Sequence, residues 1–181
     1  GVKAPKKSSS PSSSCATCTS RLRSPFGSGV SEMRIVSPMP CCSRTESGAE
    51  EATVPFELSA TLEVARATRR QQGRVIAVFQ PHRYSRTRAL YREFGEALTH
   101  ADAVLVTEVY GAGEMPQPGV SGKLVVDAVC ESPSRPDVYY IPDQHDLPGV
   151  LRTITEPRDT VLTMGAGDIS RVGDELLGLL G

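Results

Sequence analysis

Four short apolar runs alternate with amphipathic segments along most of this chain, and this alternation constrains the fold more than any other feature. The runs cover residues 75–79, 103–109, 138–141 and 160–164. Runs of this length between turn residues are typical of buried strands. Strands that alternate with helical segments of about ten to fifteen residues indicate βαβ units, in which the strands are parallel.

The segments beside these runs carry apolar residues at helical spacing. Five such stripes predict five helices, and right-handed crossovers would distribute those helices over both faces of the sheet. The sequence therefore predicts an α/β fold with a Rossmann-like, mostly parallel sheet. The stripes are Leu58, Leu62 and Ala65; Leu90, Phe94, Ala97 and Leu98; Leu124, Val125, Ala128 and Val129; Leu147, Val150, Leu151 and Ile154; Ile169, Val172, Leu176 and Leu177.

A basic cluster follows the first apolar run. His82, Arg83, Tyr84 and Arg86 lie on the predicted strand-to-helix turn, and the apolar pattern starts the helix at Arg86. Ligands of open parallel sheets bind at the carboxyl ends of the strands, and a helix N-terminus adds free N–H groups. Arg83 and Arg86 could hold a carboxylate or a phosphate in bidentate fashion, although arginines here are equally typical of solvated surface.

Two glycine-containing turns follow later strands. Gly113 and Glu114 belong to a Gly/Pro loop and are candidate ligand contacts, or simply part of a turn. The turn at 165–168 could hold a phosphate, but Ser170 stands where a dinucleotide fingerprint needs its third glycine. A tight turn is the simpler interpretation.

The first fifty residues have a different composition. Segment 1–48 contains thirteen Ser and seven Lys or Arg against two Glu, whereas 49–181 has thirteen Lys or Arg against nineteen acids. Such a segment buries too little apolar surface to offset ordering entropy, so disorder is predicted. The chain is accordingly divided into a low-complexity segment, 1–50, and a folded domain, 51–181. The segment resembles a transit peptide or a basic binding arm in composition, but the abrupt break favours a truncated or frame-shifted product.

The cysteines do not indicate a metal site. Cys15 and Cys18 form a lone C-x-x-C, while Cys41 and Cys42 are adjacent and cannot supply a second pair. No apolar run approaches the roughly eighteen residues of a membrane span. The sequence thus predicts no metal, no membrane and no nucleic-acid partner.

Three separated blocks carry a family resemblance. FQPHRYSRT at 79–87, TEVYGAGE at 107–114 and DTVLTMGAGDI at 159–169 resemble, in this order, blocks in the C-terminal domain of the UDP-N-acetylmuramate–L-alanine ligases, which are Mur ligases. The resemblance extends over roughly residues 57 to 181.

The resemblance implies a role in peptidoglycan biosynthesis in the cytoplasm. The intact family enzyme uses ATP and Mg²⁺ to phosphorylate UDP-N-acetylmuramate, and L-alanine then attacks the acyl phosphate. Its C-terminal domain brings the amino acid to that intermediate by closure that excludes water. Arg83 and Arg86 would then hold the alanine carboxylate or the transferring phosphate, while His82 and Tyr84 would orient the ligand or support the turn.

Two departures from the family limit this expectation. The sequence contains neither G-x-x-x-x-G-K-[ST] nor the shorter Gly-Lys-Thr loop that holds ATP. The family's Tyr-x-His-His-Pro-Thr-Glu motif keeps only Pro55 and Glu57. The chain alone is therefore expected to be inactive. Two other interpretations stay open: a non-catalytic binding module with a Mur-ligase-like fold, and a fragment of the related muramate–tripeptide ligase.

Overall fold

The computed structural model describes residues 34–36, 50–69, 72–134, 136–165 and 167–180. Its centre is a five-stranded sheet in which all the pairings are parallel. The strand order is β1-β5-β2-β3-β4, with strands β1 Arg34–Val36, β2 Val75–Gln80, β3 Ala103–Val106, β4 Asp137–Tyr140 and β5 Thr160–Gly165.

Five α-helices connect or flank these strands. They are α1 Glu50–Thr68, α2 Tyr84–Leu98, α3 Lys123–Glu131, α4 Leu147–Ile154 and α5 Arg171–Leu180, with short 3₁₀ turns at Gln144–Asp146 and Gly167–Ser170. The four predicted strands and five predicted helices are confirmed.

Three element boundaries differ from the sequence pattern. Helix α1 begins at Glu50, so the stretch that matches the family's His-His-Pro motif lies within a helix that contains Pro55. Helix α2 begins at Tyr84 rather than Arg86. Strand β3 ends at Val106, although the apolar run continues to Val109.

The N-terminal segment contributes one strand. Arg34–Val36 pair in parallel with Thr160, Val161 and Leu162 of β5, within a region whose composition predicts disorder. Two adjacent β-branched residues, Ile35 and Val36, suit a strand, but three residues are too few for a periodicity signal. The rest of the predicted disordered segment lies outside the described residues.

Helices cover both faces of the sheet, as predicted. Strand β2 alternates accordingly: Val75, Ala77 and Phe79 face one cluster, whereas Ile76 and Val78 face the other. The first cluster contains buried residues of α1, α2 and α3, and the second contains buried residues of α4 and α5. Because both faces of β2 are covered, all six of its residues are buried, which explains its continuous apolar run.

The amino-terminal edge of the sheet carries an ion pair between Asp159, which is buried, and Arg74, which is partly exposed. The Asp159 carboxylate accepts hydrogen bonds from the Arg74 backbone N–H at 2.9 Å and from its Nη2 at 2.6 Å. Arg74 also donates to the Ile154 carbonyl at 2.7 Å. The charges of Arg74 and Asp159 at this edge are therefore paired with each other.

Candidate functional site

The basic turn lies at the carboxyl edge of the sheet, opposite that ion pair. It leaves β2 at Gln80 and enters α2 at Tyr84. A parallel bridge joins it to the next loop: the Arg83 N–H donates to the Tyr110 carbonyl, and the Tyr110 N–H donates to the Pro81 carbonyl, both at 2.8 Å. The loops that follow β2 and β3 are therefore held side by side at the edge where parallel sheets bind ligands.

Arg83 has an unusual backbone conformation. Its φ is 66°, a value that non-glycine residues rarely adopt and that costs on the order of 1–3 kcal/mol. Three hydrogen bonds stabilise it, because its N–H is bound by Tyr110 and its carbonyl accepts from the Thr87 N–H at 3.0 Å and the Thr87 hydroxyl at 2.8 Å. Backbone strain that the surroundings maintain in this way is concentrated at functional sites.

His82 occupies the floor of the turn. Its ring stacks on Tyr110 with centroids 5.8 Å apart and an interplanar angle of 14°. Burial lowers the pKa of His82 below its ordinary value, and the positive charges of Arg86 and Arg83 lower it further, against an opposing effect of Glu114. The imidazole is therefore neutral at neutral pH, and its buried Nδ1 has no hydrogen-bond partner in the described part of the chain.

Arg83 and Arg86 are the two arginines of the turn. Arg83 is exposed and Arg86 is partly buried in the first turn of α2. The positive charges of both arginines lower the pKa of His82. In the described ranges neither forms an ion pair within 4.0 Å. Guanidinium groups without such a pair can bind a carboxylate or a phosphate in bidentate fashion.

Tyr84 packs against the neighbouring loop. Its ring lies so close to Gly111 that a Cβ at position 111 would be 3.1 Å from the Tyr84 Cε2 atom. The side chain is partly buried. This contact supports a role for Tyr84 in holding the turn, which is one of the two roles left open by the sequence.

Glu114 caps helix α2 from the loop after β3. Its carboxylate accepts hydrogen bonds from the Ser85 N–H at 2.9 Å and from the Ser85 hydroxyl at 2.6 Å. These bonds hold the pKa of Glu114 below its ordinary value. Gly113, the other candidate loop residue, has a φ of 88° and no atom within 4 Å of a Cβ placed on it. The structure thus brings Glu114 to the basic turn, and Gly113 supplies the positive φ of the loop that carries Glu114.

A second carboxylate organises the same edge. Glu108 accepts hydrogen bonds from the Gly122 N–H at 2.9 Å and from the Tyr140 hydroxyl at 2.5 Å. Burial, followed by the bond to Glu108, raises the pKa of Tyr140. Only glycine fits at position 122, since a Cβ there would lie 1.9 Å from the Thr107 carbonyl oxygen. Sequence reasoning missed this role of Glu108, although the residue belongs to a block that carries the family resemblance.

Unpartnered polar atoms lie beside the turn on the face packed by α4 and α5. Gln80 Oε1 and Thr163 Oγ1 are buried and have no hydrogen-bond partner among the described residues. Gln80 pairs in register with Gly165, two residues after Thr163, so the two side chains are neighbours on one face. Gln80 Nε2 donates to Gln144 Oε1 at 3.2 Å. The sequence does not reveal that Gln80 is buried, because it follows directly after the apolar run of β2. No sequence signal indicates that the Thr163 hydroxyl is buried.

Neither metal ligation nor membrane insertion is indicated by this geometry. The described residues contain no group of three or more His, Cys, Asp or Glu side chains placed to hold a metal ion. Cys15, Cys18, Cys41 and Cys42 lie outside the described residues. No helix in the described ranges is both long and apolar enough to cross a lipid bilayer.

Comparison with known proteins identifies this arrangement. Residues 51–167 match the family "Mur ligase, glutamate ligase domain". UDP-N-acetylmuramate–L-alanine ligase of Rubrobacter xylanophilus is 73% identical over 126 residues, which are 70% of this chain and 28% of the relative. The same enzyme of Cutibacterium acnes is 53% identical over 126 residues, or 26% of its length. The chain spans about a quarter of the length of the curated relatives it matches.

Solved structures share the fold. The crystal structure of UDP-N-acetylmuramate–alanine ligase from Thermotoga maritima matches with a TM-score of 0.53 and 26% identity, over 70% of this chain and 24% of that one. A murein peptide ligase from Psychrobacter arcticus has the same TM-score at 20% identity, which shows the fold alone, over 70% of this chain and 25% of that one. With its parallel sheet, its basic turn and a family match over more than half of its length, the chain belongs to the Mur ligase, glutamate ligase domain family.

Proposed function

We propose that this chain is the C-terminal part of a UDP-N-acetylmuramate–L-alanine ligase and that its basic turn binds a substrate anion. The observation that carries the proposal is the contrast between the two edges of the sheet. Arg74, at the amino edge, is paired with Asp159 at 2.6 Å. Arg83 and Arg86, at the carboxyl edge, have no such partner in the described residues, which is the arrangement expected of a site that binds an anionic ligand.

The similar proteins support the assignment of the substrates. The bacterial relatives that are 73% and 53% identical over 126 aligned residues are UDP-N-acetylmuramate–L-alanine ligases. We therefore assign L-alanine as the amino acid and UDP-N-acetylmuramate as the acceptor, in the cytoplasmic stage of peptidoglycan synthesis. Because the relatives at 73% and 53% identity are both L-alanine ligases, the muramate–tripeptide ligase is the weaker candidate.

The contribution of these residues is orientation rather than chemistry. An amine attacks an activated carboxyl group efficiently only when it is held in the right geometry and water is excluded. Two guanidinium groups that bind the amino-acid carboxylate would leave its amine free to point at the reaction partner. The neutral His82 imidazole would form the floor of that site, and the Tyr84 ring would form its wall.

ATP and Mg²⁺ do not fit the residues of this chain. The 181 residues contain no phosphate loop, and the described part holds no cluster suited to a metal ion. We assign the nucleotide and the metal to the remainder of a full-length ligase.

The test is kinetic, in a full-length ligase that contains this domain. Arg83→Ala and Arg86→Ala should each lower kcat/KM for L-alanine at least tenfold, because a charge-assisted hydrogen bond contributes about 1.5–3 kcal/mol. Arg88→Ala is the matched control, since Arg88 is an exposed arginine of the same helix. Arg83→Lys should recover only part of the loss, because ammonium lacks the planar fork.

Two results would contradict the proposal. Equal and small effects of all three alanine variants would show that the turn is ordinary surface. Ligation of the tripeptide L-alanyl-γ-D-glutamyl-meso-diaminopimelate in preference to L-alanine would replace the assigned substrate by that of the tripeptide ligase.

A further inference from the structure

The N-terminus of helix α2 already holds an anion that belongs to the chain. The Glu114 carboxylate binds both the backbone N–H and the hydroxyl of Ser85, at 2.9 Å and 2.6 Å. A helix N-terminus attracts negative charge, and here an internal carboxylate takes that position. An incoming ligand therefore meets the guanidinium groups rather than the helix N-terminus.

Three charged side chains belong to the turn or are bonded to it: Arg83 and Arg86 lie within residues 82–87, and Glu114 is hydrogen-bonded to Ser85. The charged groups that act on His82 are Arg86, Arg83 and Glu114, and Arg83 in turn acts on Glu114. Glu114 is ionised at neutral pH because its pKa is lowered, and His82 is neutral because its pKa is lowered. Two cations and one anion leave the turn with a single net positive charge.

The loop that carries Glu114 is exposed beyond its Tyr110 bridge to the turn. Ala112, Gly113 and Met115 are exposed, Met115 to 83%. Within the loop, the Glu114 N–H donates to the Gly111 carbonyl at 2.9 Å. The carboxylate contact with Ser85 thus adds a second attachment, beyond the Tyr110 bridge, between this exposed loop and the basic turn.

We propose that Glu114 determines the charge specificity of the basic turn: by occupying the N-terminus of α2, it leaves a site matched to a singly charged anion, a carboxylate, and disfavours a doubly charged phosphate. This inference rests on the proposed function, because it takes the basic turn to be an anion site. Glu114 also acts as a positioning residue, since its two bonds hold the loop beside Arg83.

The first measurement tests the contact itself by NMR of the full 181-residue chain. The Ser85 amide resonance should shift with pH as Glu114 titrates, with a midpoint below the ordinary carboxyl pKa of 4.5. The shift should vanish in Glu114→Gln. A Ser85 amide that does not report this titration in the unsubstituted chain would overturn the positioning role.

The second measurement tests specificity with two probes, acetate and inorganic phosphate, at about pH 8, where phosphate is a dianion. Dissociation constants come from the shifts of the amides at 82–87. In Glu114→Gln, the affinity for phosphate relative to acetate should rise by about tenfold, since one nearby negative charge is removed. The matched control is Glu93→Gln, which changes the net charge equally but lies about 12 Å further along α2, beyond the screening length at physiological salt.

The outcomes separate this inference from the function on which it rests. If Arg83→Ala weakens both probes while Glu114→Gln leaves their ratio unchanged, the anion site stands and the role of Glu114 is overturned. An equal change in Glu93→Gln would likewise overturn it, because the effect would then be one of net charge. If neither probe shifts the turn, or if Arg83→Ala alters neither affinity, the anion site itself is contradicted.

Discussion

At the scale of single residues, the sequence indicates which side chains lie at the turn but not their backbone conformation or protonation state. Arg83 and Arg86 stand out because they follow a buried strand and precede a helix. The positive φ of Arg83 is held by Tyr110, which comes from a separate loop. The neutral imidazole of His82 depends on burial and on the charges of Arg86 and Arg83. Burial by residues distant in sequence contributes to the pKa of a side chain, so the local sequence pattern alone cannot predict the protonation state of His82.

The lowered pKa of His82 predicts an acid-sensitive fold. Because the folded pKa lies below the ordinary value of 6.5, the unfolded chain binds more protons as pH falls through that value. The contribution of neutral His82 to the free energy of unfolding is therefore complete above about pH 6.5 and decreases as the pH falls toward the folded pKa. The free energy of unfolding, measured with urea at about pH 7.5 and pH 5.5, should decrease less between these two pH values in His82→Gln than in the unsubstituted chain.

A histidine elsewhere provides the control for that experiment. His145 is exposed and lies in the 3₁₀ turn Gln144–Asp146. His145→Gln should retain the pH dependence of the unsubstituted chain. Identical slopes for His82→Gln and the unsubstituted chain would show that His82 is protonated as easily in the folded state as in the unfolded one.

At the scale of elements, periodicity predicts the existence of helices better than their ends. Stripes such as Leu58, Leu62 and Ala65 identify α1, and all three residues are buried. The helix nevertheless begins at Glu50, before the stripe, and α2 begins at Tyr84. The start of α2 follows from the Glu114 carboxylate, which reaches Ser85 from another loop and has no local sequence signal.

Helix α2 packs closely on α3 through a glycine. A Cβ at Gly95 would lie 2.5 Å from the Ala128 Cβ, so Gly95→Ala must push the two helices apart. We expect it to lower the free energy of unfolding by about 1–3 kcal/mol, the usual cost of overpacking.

Gly178 in α5 is the matched control, because nothing lies within 4 Å of a Cβ placed there. Gly178→Ala should be neutral or stabilise by up to about 1 kcal/mol through helix propensity. Equilibrium denaturation of both variants measures the difference. A Gly95→Ala chain as stable as Gly178→Ala would contradict the close α2–α3 packing.

At the scale of the whole molecule, alternating strands and helices predict a parallel sheet covered on both faces, and the structure confirms it. The strand order β1-β5-β2-β3-β4 is not predictable in the same way. The order depends on which strands each crossover connection passes over, and the sequence does not indicate this. It also depends on β1, an edge strand of three residues that is too short to recognise from the sequence. The division at residue 50 stays a prediction, because most of segment 1–50 lies outside the described residues.

The 181-residue chain alone should neither release ADP from ATP nor ligate L-alanine. The physical reason is that it contains no phosphate loop to hold the nucleotide. Coupled assays of ADP formation, with and without L-alanine, measure this directly. Alanine-dependent turnover by the purified chain would show that a nucleotide site exists that the sequence does not reveal.

A chimera tests the central claim most directly. Residues 55–181 of this chain would replace the matching C-terminal part of the Rubrobacter xylanophilus ligase, which is 73% identical over the 126 aligned residues. Phosphate release that depends on both UDP-N-acetylmuramate and L-alanine would be measured for the chimera and for its Arg83→Ala and Arg88→Ala variants. We expect activity in the chimera, at least a tenfold loss of kcat/KM in Arg83→Ala and little change in Arg88→Ala. A folded chimera without alanine-dependent activity, or one that Arg83→Ala leaves unchanged, would contradict the account.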